Sequence, residues 1–337
     1  MKKILIRATN WLGDAVMSLP AIRAVRHRFP EAEIAVLARP WVADLYARET
    51  SVSRMIPYPG PGEWRAKWAT ARALRSEHFH CAILLQNAFE AAVVANVARI
   101  PERIGYDRDG RALLLTQAVP VPKPGEIPRH ERFYYLELLR RAGLIERIED
   151  YAGAIQLEGA RQAAEAGAAA FARLGVPLPV VGVSPGAAYG NAKRWIPSHF
   201  VEAASIVAAR EQASVAVFGS PAERDLCESV ASGMPNARNF AGRTTLAEFI
   251  DFAAACRVYL TNDSGAMHVA SALGVPTVAV FGATDDTTTG PTGENSRVVR
   301  EPVDCSPCLL RECPIDHRCM TRVPAGRVAQ VGLDLLK

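Results

Sequence analysis

The stretch "KKILIRATNWLGDAVMSLP" (residues 2–20) indicates how the first half of the chain folds. Residues 3–8 form an apolar run typical of a buried β-strand, and apolar residues then recur every three or four positions, as on one face of a helix. Strands that alternate with helices build parallel sheets. The turn between them lacks the G-x-G-x-x-G of dinucleotide-binding proteins, because its one glycine, Gly13, is followed by a carboxylate, Asp14.

The helix after this turn contains Pro20, which conflicts with a regular helix interior because proline clashes with the carbonyl four residues earlier. Two interpretations stay open. Either the helix kinks after its first turn, or the main helix begins near Ser18. Both place Asp14 at the carboxyl end of the first strand.

Strand and helix patterns alternate along the whole chain and restart once. In the first block, further strands and helices are predicted at residues 33–38, 81–86, 88–99 and 131–144. A helix at 158–175 precedes "VPLPVVGVSPGA" (176–187), where a buried strand and a glycine-containing turn begin a second alternating series. This pattern predicts an α/β protein of two Rossmann-like domains with parallel sheets, joined near residues 155–178.

The composition narrows the function classes. The 337 residues are 49% apolar with a net charge of +4, which fits two globular domains and is too weakly basic to indicate a nucleic-acid partner. No apolar stretch approaches the ~20 residues of a membrane span, and the N-terminal apolar run is too short for a cleavable signal. We therefore expect a cytoplasmic protein, and peripheral contact with a membrane face remains compatible with the sequence.

Asp14 has two compatible interpretations. A carboxylate at the start of a helix can cap backbone N–H groups. The same position favours the ionised form, so Asp14 could also act as a general base at the carboxyl end of the sheet, where open α/β sheets bind their ligands.

The segment "SPGAAYGNAKRW" (184–195) follows a predicted strand and is typical of a phosphate-binding loop. Gly186 lets the backbone approach a ligand, and Lys193 and Arg194 supply positive charge, with arginine able to bind phosphate oxygens in a bidentate manner. The alternative is an ordinary exposed loop with basic residues.

The segment "TNDSGAMHVASALG" (261–274) predicts a strand, a turn and a helix whose N-terminus would favour a diphosphate. Ser264 is a typical N-cap residue, and Gly265 permits close approach of a ligand. His268 lies one helical turn after Ser264, and Met267 precedes it in the same first turns. Asp263 would hold a backbone amide or a sugar hydroxyl.

Two further residues follow predicted strands and are weaker candidates for the same ligand. Glu223, in "FGSPAERD", could accept hydrogen bonds from ribose hydroxyls, or it could be a first-turn helix acid. Thr244, in "GRTTLAEF", would lie beside the base.

Four of the seven cysteines fall within the segment "CSPCLLRECPIDHRC" (305–319). Cys305, Cys308, Cys313 and Cys319 give the spacing C-x2-C-x4-C-x5-C, and four thiolates could hold a structural zinc ion or an iron–sulfur centre. A second C-x2-C pair is missing, so a loop of free thiols or an occasional disulfide remains the alternative.

Three quoted stretches together resemble a known family. "ILIRATNWLGDAVMSLPAIRAVRHRFP", "SPGAAYGNAKRWIP" and "TNDSGAMHVASALGVPTVAVFG" resemble the lipopolysaccharide heptosyltransferases of glycosyltransferase family 9, and look most like the heptosyltransferase II group. The resemblance implies a GT-B architecture whose two domains face each other across a cleft. The implied domains are an acceptor-binding domain at 1–165 and a nucleotide-sugar-binding domain at 166–337.

The resemblance also implies the reaction and its participants. It implies inverting transfer from ADP-heptose to the inner core of lipopolysaccharide at the inner-membrane surface, with no metal ion or cofactor needed for catalysis. By position, Asp14 matches the family's catalytic base, and Lys193 the lysine that contacts the donor diphosphate. Other matches to the donor site are Asp263, Ser264, Gly265 and His268, with Glu223 less secure. The cysteine cluster is not general to the family.

Acceptor contacts are predicted from charge and position, because the acceptor core carries acidic sugars and phosphate. Arg108, Arg111 and Arg129 are candidates, as is Asn87, which follows the strand at 81–86. Alternatives are heptosyltransferase I, another GT-B enzyme such as a sugar-nucleotide 2-epimerase, a nicotinamide dehydrogenase, and a non-enzymatic metal-binding or redox module built on the cysteines.

Overall fold

The computed structural model of the chain describes residues 1–60 and 62–337. The chain divides into two compact units, Met1–Gly153 (unit 1) and Ala154–Lys337 (unit 2). The sequence placed the boundary between residues 165 and 166, which falls inside a helix, Ala160–Arg173. No helix in the described residues combines the length and apolar character needed to span a membrane.

Unit 1 contains a six-stranded parallel sheet in the order β3-β2-β1-β4-β5-β6. Its strands are β1 Lys3–Arg7, β2 Glu33–Ala38, β3 Arg54–Pro57, β4 Cys81–Leu84, β5 Glu102–Tyr106 and β6 Gln117–Val119. Its helices are α1 Leu12–Arg28, α2 Pro40–Ala47, α3 Trp64–Ser76, α4 Phe89–Val97 and α5 Arg132–Arg141. Short 3₁₀ turns lie at Ala112–Leu114 and Glu149–Tyr151.

Unit 2 has a second six-stranded parallel sheet in the order β12-β11-β10-β7-β8-β9. Its strands are β7 Val180–Ser184, β8 Ser214–Val217, β9 Ala237–Asn239, β10 Val258–Asn262, β11 Thr277–Phe281 and β12 Ser296–Arg300. Its helices are α6 Ala160–Arg173, α7 Pro197–Glu211, α8 Arg224–Ala231, α9 Leu246–Ala254, α10 Gly265–Ala272, α11 Asp286–Thr289, α12 Arg318–Thr321 and α13 Ala325–Asp334. Two 3₁₀ turns lie at Asn191–Lys193 and Pro221–Glu223.

Both sheets have the Rossmann strand order, with the reversal between neighbouring strands at β1/β4 in unit 1 and at β7/β10 in unit 2. The prediction of two Rossmann-like α/β domains with parallel sheets is therefore confirmed. Ligands bind at the carboxyl ends of such strands, next to this reversal. The turns after β1, β7 and β10 occupy those positions.

Helix α1 runs from Leu12 to Arg28 as one helix that includes Pro20. The interpretation that the main helix begins near Ser18 is therefore wrong. Residues 15–22 of α1 are all buried, and this burial compensates for the hydrogen bond that Pro20 cannot make.

Candidate active site

Three successive polar residues, Asn262, Asp263 and Ser264, lie at the end of β10 and in the turn after it, and Asn262 holds the loop after β7 in place. Asn262 is fully buried and accepts a hydrogen bond of 2.9 Å from the Trp195 backbone N–H. Its amide nitrogen donates at 2.7 Å to the carbonyl of Pro185. Asn262 therefore holds both ends of the loop after β7 against the start of α10, which brings the two predicted phosphate-binding segments together.

Asp263 and Lys193 form an ion pair at the start of α10. The Lys193 Nζ lies 2.6 Å from the Asp263 Oδ2, and the two side chains are 13% and 4% exposed. The Thr284 hydroxyl donates to the same oxygen at 2.5 Å. Asp263 thus holds a largely buried ammonium group beside the N-terminus of a helix, and both features favour binding of a diphosphate.

Ser264 occupies the N-cap position of α10, but its side chain makes no capping hydrogen bond. Its hydroxyl lies 3.2 Å from that of Thr261 instead. The expectation that this serine caps the helix is therefore wrong for its side chain. Since the first N–H groups of a helix have no partner within it, those of Gly265 and Ala266 can bind an anion.

Met267 and His268 lie deeper than the sequence indicated. Met267 is fully buried and packs with Ala279 and Phe281, so its side chain is part of the core and only its backbone N–H can reach a ligand. His268 is 5% exposed in the second turn of α10. The sequence predicted that His268 lies in the helix after the Asp263 turn, and it does lie in α10. Packing around this helix leaves little of the His268 side chain open to solvent.

Glu223 lies beside Gly186, which joins two of the predicted donor-binding segments. A Cβ atom at position 186 would collide with the Glu223 carboxylate, so the close approach requires glycine there. The carboxylate also accepts from the Ser220 backbone N–H at 2.9 Å in a capping box. Glu223 therefore caps a 3₁₀ turn after β8, as its interpretation as a first-turn acid predicts, and a ribose contact of this carboxylate stays a prediction.

Arg194 and Thr244 have fewer contacts with the other predicted donor-binding residues than Lys193 and Asp263 have with each other. The Arg194 guanidinium donates to the carbonyl of Ala187 at 3.4 Å, and its Nε is buried without a hydrogen-bond partner. Thr244 is half-buried in the turn before α9, where the capping residue is its neighbour Thr245, paired with Glu248.

In unit 1, Asp14 lies in the first turn of α1, following β1. The N-cap residue is Trp11, so the expectation that Asp14 itself occupies the cap position is wrong. The sequence missed its neighbour Glu131, which precedes α5. Burial, and then the negative charge of Asp14, raise the pKa of Glu131, and Arg108 lowers it in part.

The tyrosines around Asp14 remain protonated at neutral pH. Burial raises the pKa of Tyr46 to about 12, while its contacts with Ser18 and Thr9 act in the opposite direction. Burial and the charge of Asp14 also raise the pKa of Tyr135 well above its usual value. Buried, protonated tyrosine side chains therefore line part of the surroundings of Asp14.

Two of the predicted acceptor residues meet at Tyr134. The Asn87 amide donates to the Tyr134 hydroxyl at 3.0 Å, and contact with Tyr134 raises the pKa of Arg108. Arg111 is fully buried and donates to Asn87 at 3.0 Å, so it positions this group and cannot itself contact a substrate. Arg129 is exposed in the segment before α5.

The cysteine-rich segment packs on the loop that carries Lys193. The Tyr189 hydroxyl donates to the Leu309 carbonyl at 2.8 Å, and the Ala192 N–H donates to the Arg311 carbonyl at 3.0 Å. The His317 Nε2 lies 3.0 Å from the Ala192 carbonyl oxygen. These contacts hold the segment just before Lys193, a role that the cysteine spacing did not indicate.

The expectation of a four-cysteine metal site is not supported. Across the part of the chain that the structure describes, no three His, Cys, Asp or Glu side chains are grouped so that they could hold a metal ion. Cys319 is buried in α12, and burial together with the charges of the three other cysteines raises its pKa to about 11.

Comparison with known proteins identifies the family of the chain. A family model described as glycosyltransferase family 9 (heptosyltransferase) matches residues 67–318. The chain is 32% identical over 309 residues to lipopolysaccharide heptosyltransferase 2 of Salmonella typhimurium, with 88% of each chain covered. Identity and coverage are the same for lipopolysaccharide heptosyltransferase 2 of Escherichia coli K12.

A solved structure with the same architecture, described as E. coli ADP-heptose lps heptosyltransferase II, superposes with a TM-score of 0.85 at 28% identity. It covers 100% of this chain and 98% of that one. The GT-B expectation is thereby confirmed at the level of fold. Because this family model matches residues 67–318, well over half of the chain, the chain belongs to glycosyltransferase family 9, the heptosyltransferase family.

Proposed function

We propose that this enzyme transfers heptose from ADP-heptose to the inner core of lipopolysaccharide, with inversion at the anomeric carbon and without a metal ion. The relatives named heptosyltransferase 2 support this donor and acceptor. The observation that carries the proposal is the Lys193–Asp263 pair, 2.6 Å apart, at the N-terminus of α10.

Unit 2 is the proposed donor-binding part. Negative charge grows on the diphosphate as ADP leaves, and Lys193 and the first N–H groups of α10 would stabilise that charge. These groups would do the work that a divalent cation does in other phosphate-dependent transfers. Gly186, Arg194, Glu223 and Thr244 would contact the remainder of the donor.

Unit 1 is the proposed acceptor-binding part, with Asp14 as the base. The acceptor hydroxyl oxygen attacks the anomeric carbon as its proton passes to the Asp14 carboxylate, and the bond from that carbon to the diphosphate oxygen breaks. A sugar hydroxyl is too weak an acid to ionise beforehand, so Asp14 must act in the transition state. One displacement of this kind inverts the anomeric configuration. Arg108, Arg129 and Asn87 would contact acidic groups of the acceptor.

Such an enzyme would act in the cytoplasm at the inner face of the inner membrane, where the acceptor lies. A direct test supplies ADP-heptose with one acceptor that already carries a heptose and one that carries none, with and without a chelator. We expect the heptose-bearing acceptor to be used, a rate that the chelator changes by less than about twofold, and an inverted product by NMR. Preference for the heptose-free acceptor would indicate heptosyltransferase I, and loss of activity with chelator would contradict metal independence.

The non-enzymatic alternative has its own test. If the cysteines formed a metal or redox module central to function, Cys308→Ser would abolish the protein's activity. We expect turnover of this variant within about twofold of native, because the hydrogen bonds between the cysteine-rich segment and the Lys193 loop use backbone groups, the Tyr189 hydroxyl and the His317 ring, and not thiols. The alternative would be favoured if the purified native protein held metal in a stoichiometric amount and Cys308→Ser lost both the metal and the activity.

A further inference from the structure

The positive charge of Lys193 is already balanced by a carboxylate of unit 2. Its Nζ lies 2.6 Å from the Asp263 Oδ2, and the two side chains are largely buried, so they form a nearly neutral pair. The diphosphate of a leaving ADP carries more than one negative charge, and the N-terminus of α10 offers only about half an elementary charge. Without a metal ion, a further cation of unit 2 is needed to balance the diphosphate.

The cysteine-rich segment brings a second cation to the Lys193 loop. The Arg311 Cζ lies 5.2 Å from the centre of the Tyr189 ring, and the Lys193 Nζ lies 4.9 Å from the same centre. The two cations are therefore no farther apart than these two distances combined. Because the face of an aromatic ring attracts cations, Tyr189 stabilises both groups beside each other.

The backbone of Arg311 is fitted closely to the same loop. Its carbonyl accepts a hydrogen bond of 3.0 Å from the Ala192 N–H. A Cβ atom at position 190 would collide with this carbonyl oxygen, so the close approach requires Gly190. The Leu309 carbonyl, two residues earlier, accepts at 2.8 Å from the Tyr189 hydroxyl. The loop that carries Lys193 therefore determines where Arg311 lies, although the two residues are far apart in the sequence.

The Arg311 side chain has no acidic partner. Across residues 1–60 and 62–337, its guanidinium makes no ion pair and no hydrogen bond, and the residue is exposed. The next arginine of the segment, Arg318, differs because it pairs with Asp316 at 2.9 Å. An exposed guanidinium on a fixed backbone is available to bind an anion in a bidentate manner.

Arg194, the other cation of the Lys193 loop, lies near a different group. The charges of Glu223 and Arg194 both act on the pKa of the buried Cys227 thiol in α8, and they act in opposite directions. The Arg194 guanidinium donates to the Ala187 carbonyl at 3.4 Å, and its Nε is buried. Arg194 therefore lies toward α8 and Glu223, whereas Arg311 shares the Tyr189 ring with Lys193.

We propose that Arg311 binds the diphosphate of the donor together with Lys193, and that the cysteine-rich segment serves to present this arginine. The guanidinium pairs with phosphate oxygens. As the bond from the anomeric carbon to the diphosphate oxygen breaks, its electron pair stays on that oxygen, and Arg311 stabilises the growing charge. Arg311 thereby supplies the positive charge that Asp263 balances on Lys193. This inference rests on the proposed function, which assigns ADP-heptose to unit 2.

The direct test compares the equilibrium binding of ADP and of adenosine to the full chain by titration calorimetry. We expect Arg311→Gln to bind ADP roughly tenfold or more weakly than the native chain and to bind adenosine equally well, since the lost charge faces the diphosphate. Arg311→Lys should keep part of the ADP affinity, because it retains the charge without the bidentate geometry. Arg210→Gln removes an exposed cation at the far end of α7 and should bind both ligands as the native chain does.

Turnover of the same variants separates donor binding from other roles. Arg311→Gln should raise the donor KM and lower kcat, with an unchanged acceptor KM and a native unfolding temperature. Unchanged ADP affinity, equal loss for ADP and adenosine, or a change in the acceptor KM alone would each overturn the proposal. If Lys193→Met lost ADP affinity and Arg311→Gln did not, the proposed donor site would stand and the role of Arg311 would fall. A native chain that binds no ADP would overturn the proposed function itself, and this inference with it.

Discussion

At the scale of single residues, the charge of Asp14 affects the protonation of the neighbouring Glu131 carboxyl group in unit 1. Burial and the charge of Asp14 raise the pKa of Glu131, so the folded protein holds this proton more strongly than the unfolded chain does. The resulting stability is complete below the unfolded pKa of roughly 4.3 and is lost as the pH rises through the raised folded value.

Glu131→Gln cannot ionise, so it should gain stability relative to the native chain as the pH rises from about 5 to about 8. Urea unfolding at both pH values measures this change, and Glu146→Gln at an exposed position is the control. A stability difference between Glu131→Gln and native that does not vary with pH would show that the pKa of Glu131 is not raised in the folded protein.

The Lys193–Asp263 pair should matter for both stability and catalysis. Lys193→Met leaves the 4%-exposed Asp263 carboxylate without its cation, which should lower the unfolding free energy by about 3 kcal/mol. Turnover should fall by about 10²-fold or more, since a charge that stabilises the leaving diphosphate is lost. The double variant Lys193→Met/Asp263→Asn should recover most of the stability but not the turnover. Recovery of both would mean that Lys193 only neutralises Asp263.

Sequence reasoning at this scale identified residue types with defined chemistry but not their partners. Lys193 and Asp263 were separate candidates, and their contact follows from the pairing of β7 with β10, which is long-range in sequence. Thr284 and Glu131 carry no local motif, so only the fold reveals them. Arg111 was misread because a buried arginine with three partners has the same sequence signature as an exposed one.

At the scale of secondary-structure elements, Asn262 fastens the Lys193 loop to the end of β10. Asn262→Ala removes the three hydrogen bonds of this side chain and leaves the buried Trp195 N–H without an acceptor, which should cost about 1–3 kcal/mol. The loosened loop should also raise the donor KM. Asn239→Ala, which breaks comparable bonds at the end of β9, is the matched control and should lose stability with an unchanged donor KM. An unchanged KM in both variants would contradict the fastening role.

Strong periodicity predicted elements well, and weak periodicity did not. Strand β2 has the predicted bounds, because its apolar run is bordered by charge and proline. Helix α3 was missed, since two of its tryptophans lie on the solvent side and disguise the buried face. The spacing of the cysteines led to the prediction of a metal site. The contacts of this segment with the Lys193 loop instead use the backbone carbonyls of Leu309 and Arg311, which no spacing rule reveals.

At the scale of the whole molecule, the nucleotide is proposed to bind to unit 2. Hydrogen exchange of the full chain with and without ADP tests this assignment, because a ligand slows exchange where it orders the backbone. We expect protection in residues 184–195 and 262–268, and little change around Asp14. Protection concentrated in unit 1 would reverse the assigned roles of the two units.

The two Rossmann-like units followed from the sequence because the alternation of strand and helix restarts once, at residue 176. The boundary between units did not follow, since α6 reads as part of either block. It packs mainly on α9, and its Phe171 contacts Phe252, which assigns it to unit 2. Local periodicity in the sequence does not predict long-range packing of this kind.

The central claim is that Asp14 is the base of an acceptor-dependent transfer. The measurement that tests it is ADP release from ADP-heptose, with and without a heptose-bearing lipopolysaccharide core, for the native chain and Asp14→Asn. We predict release that requires the acceptor and falls by about 10²-fold or more in the variant, with the fold intact by circular dichroism. An Asp14→Asn enzyme that releases ADP at the native, acceptor-dependent rate would contradict the claim.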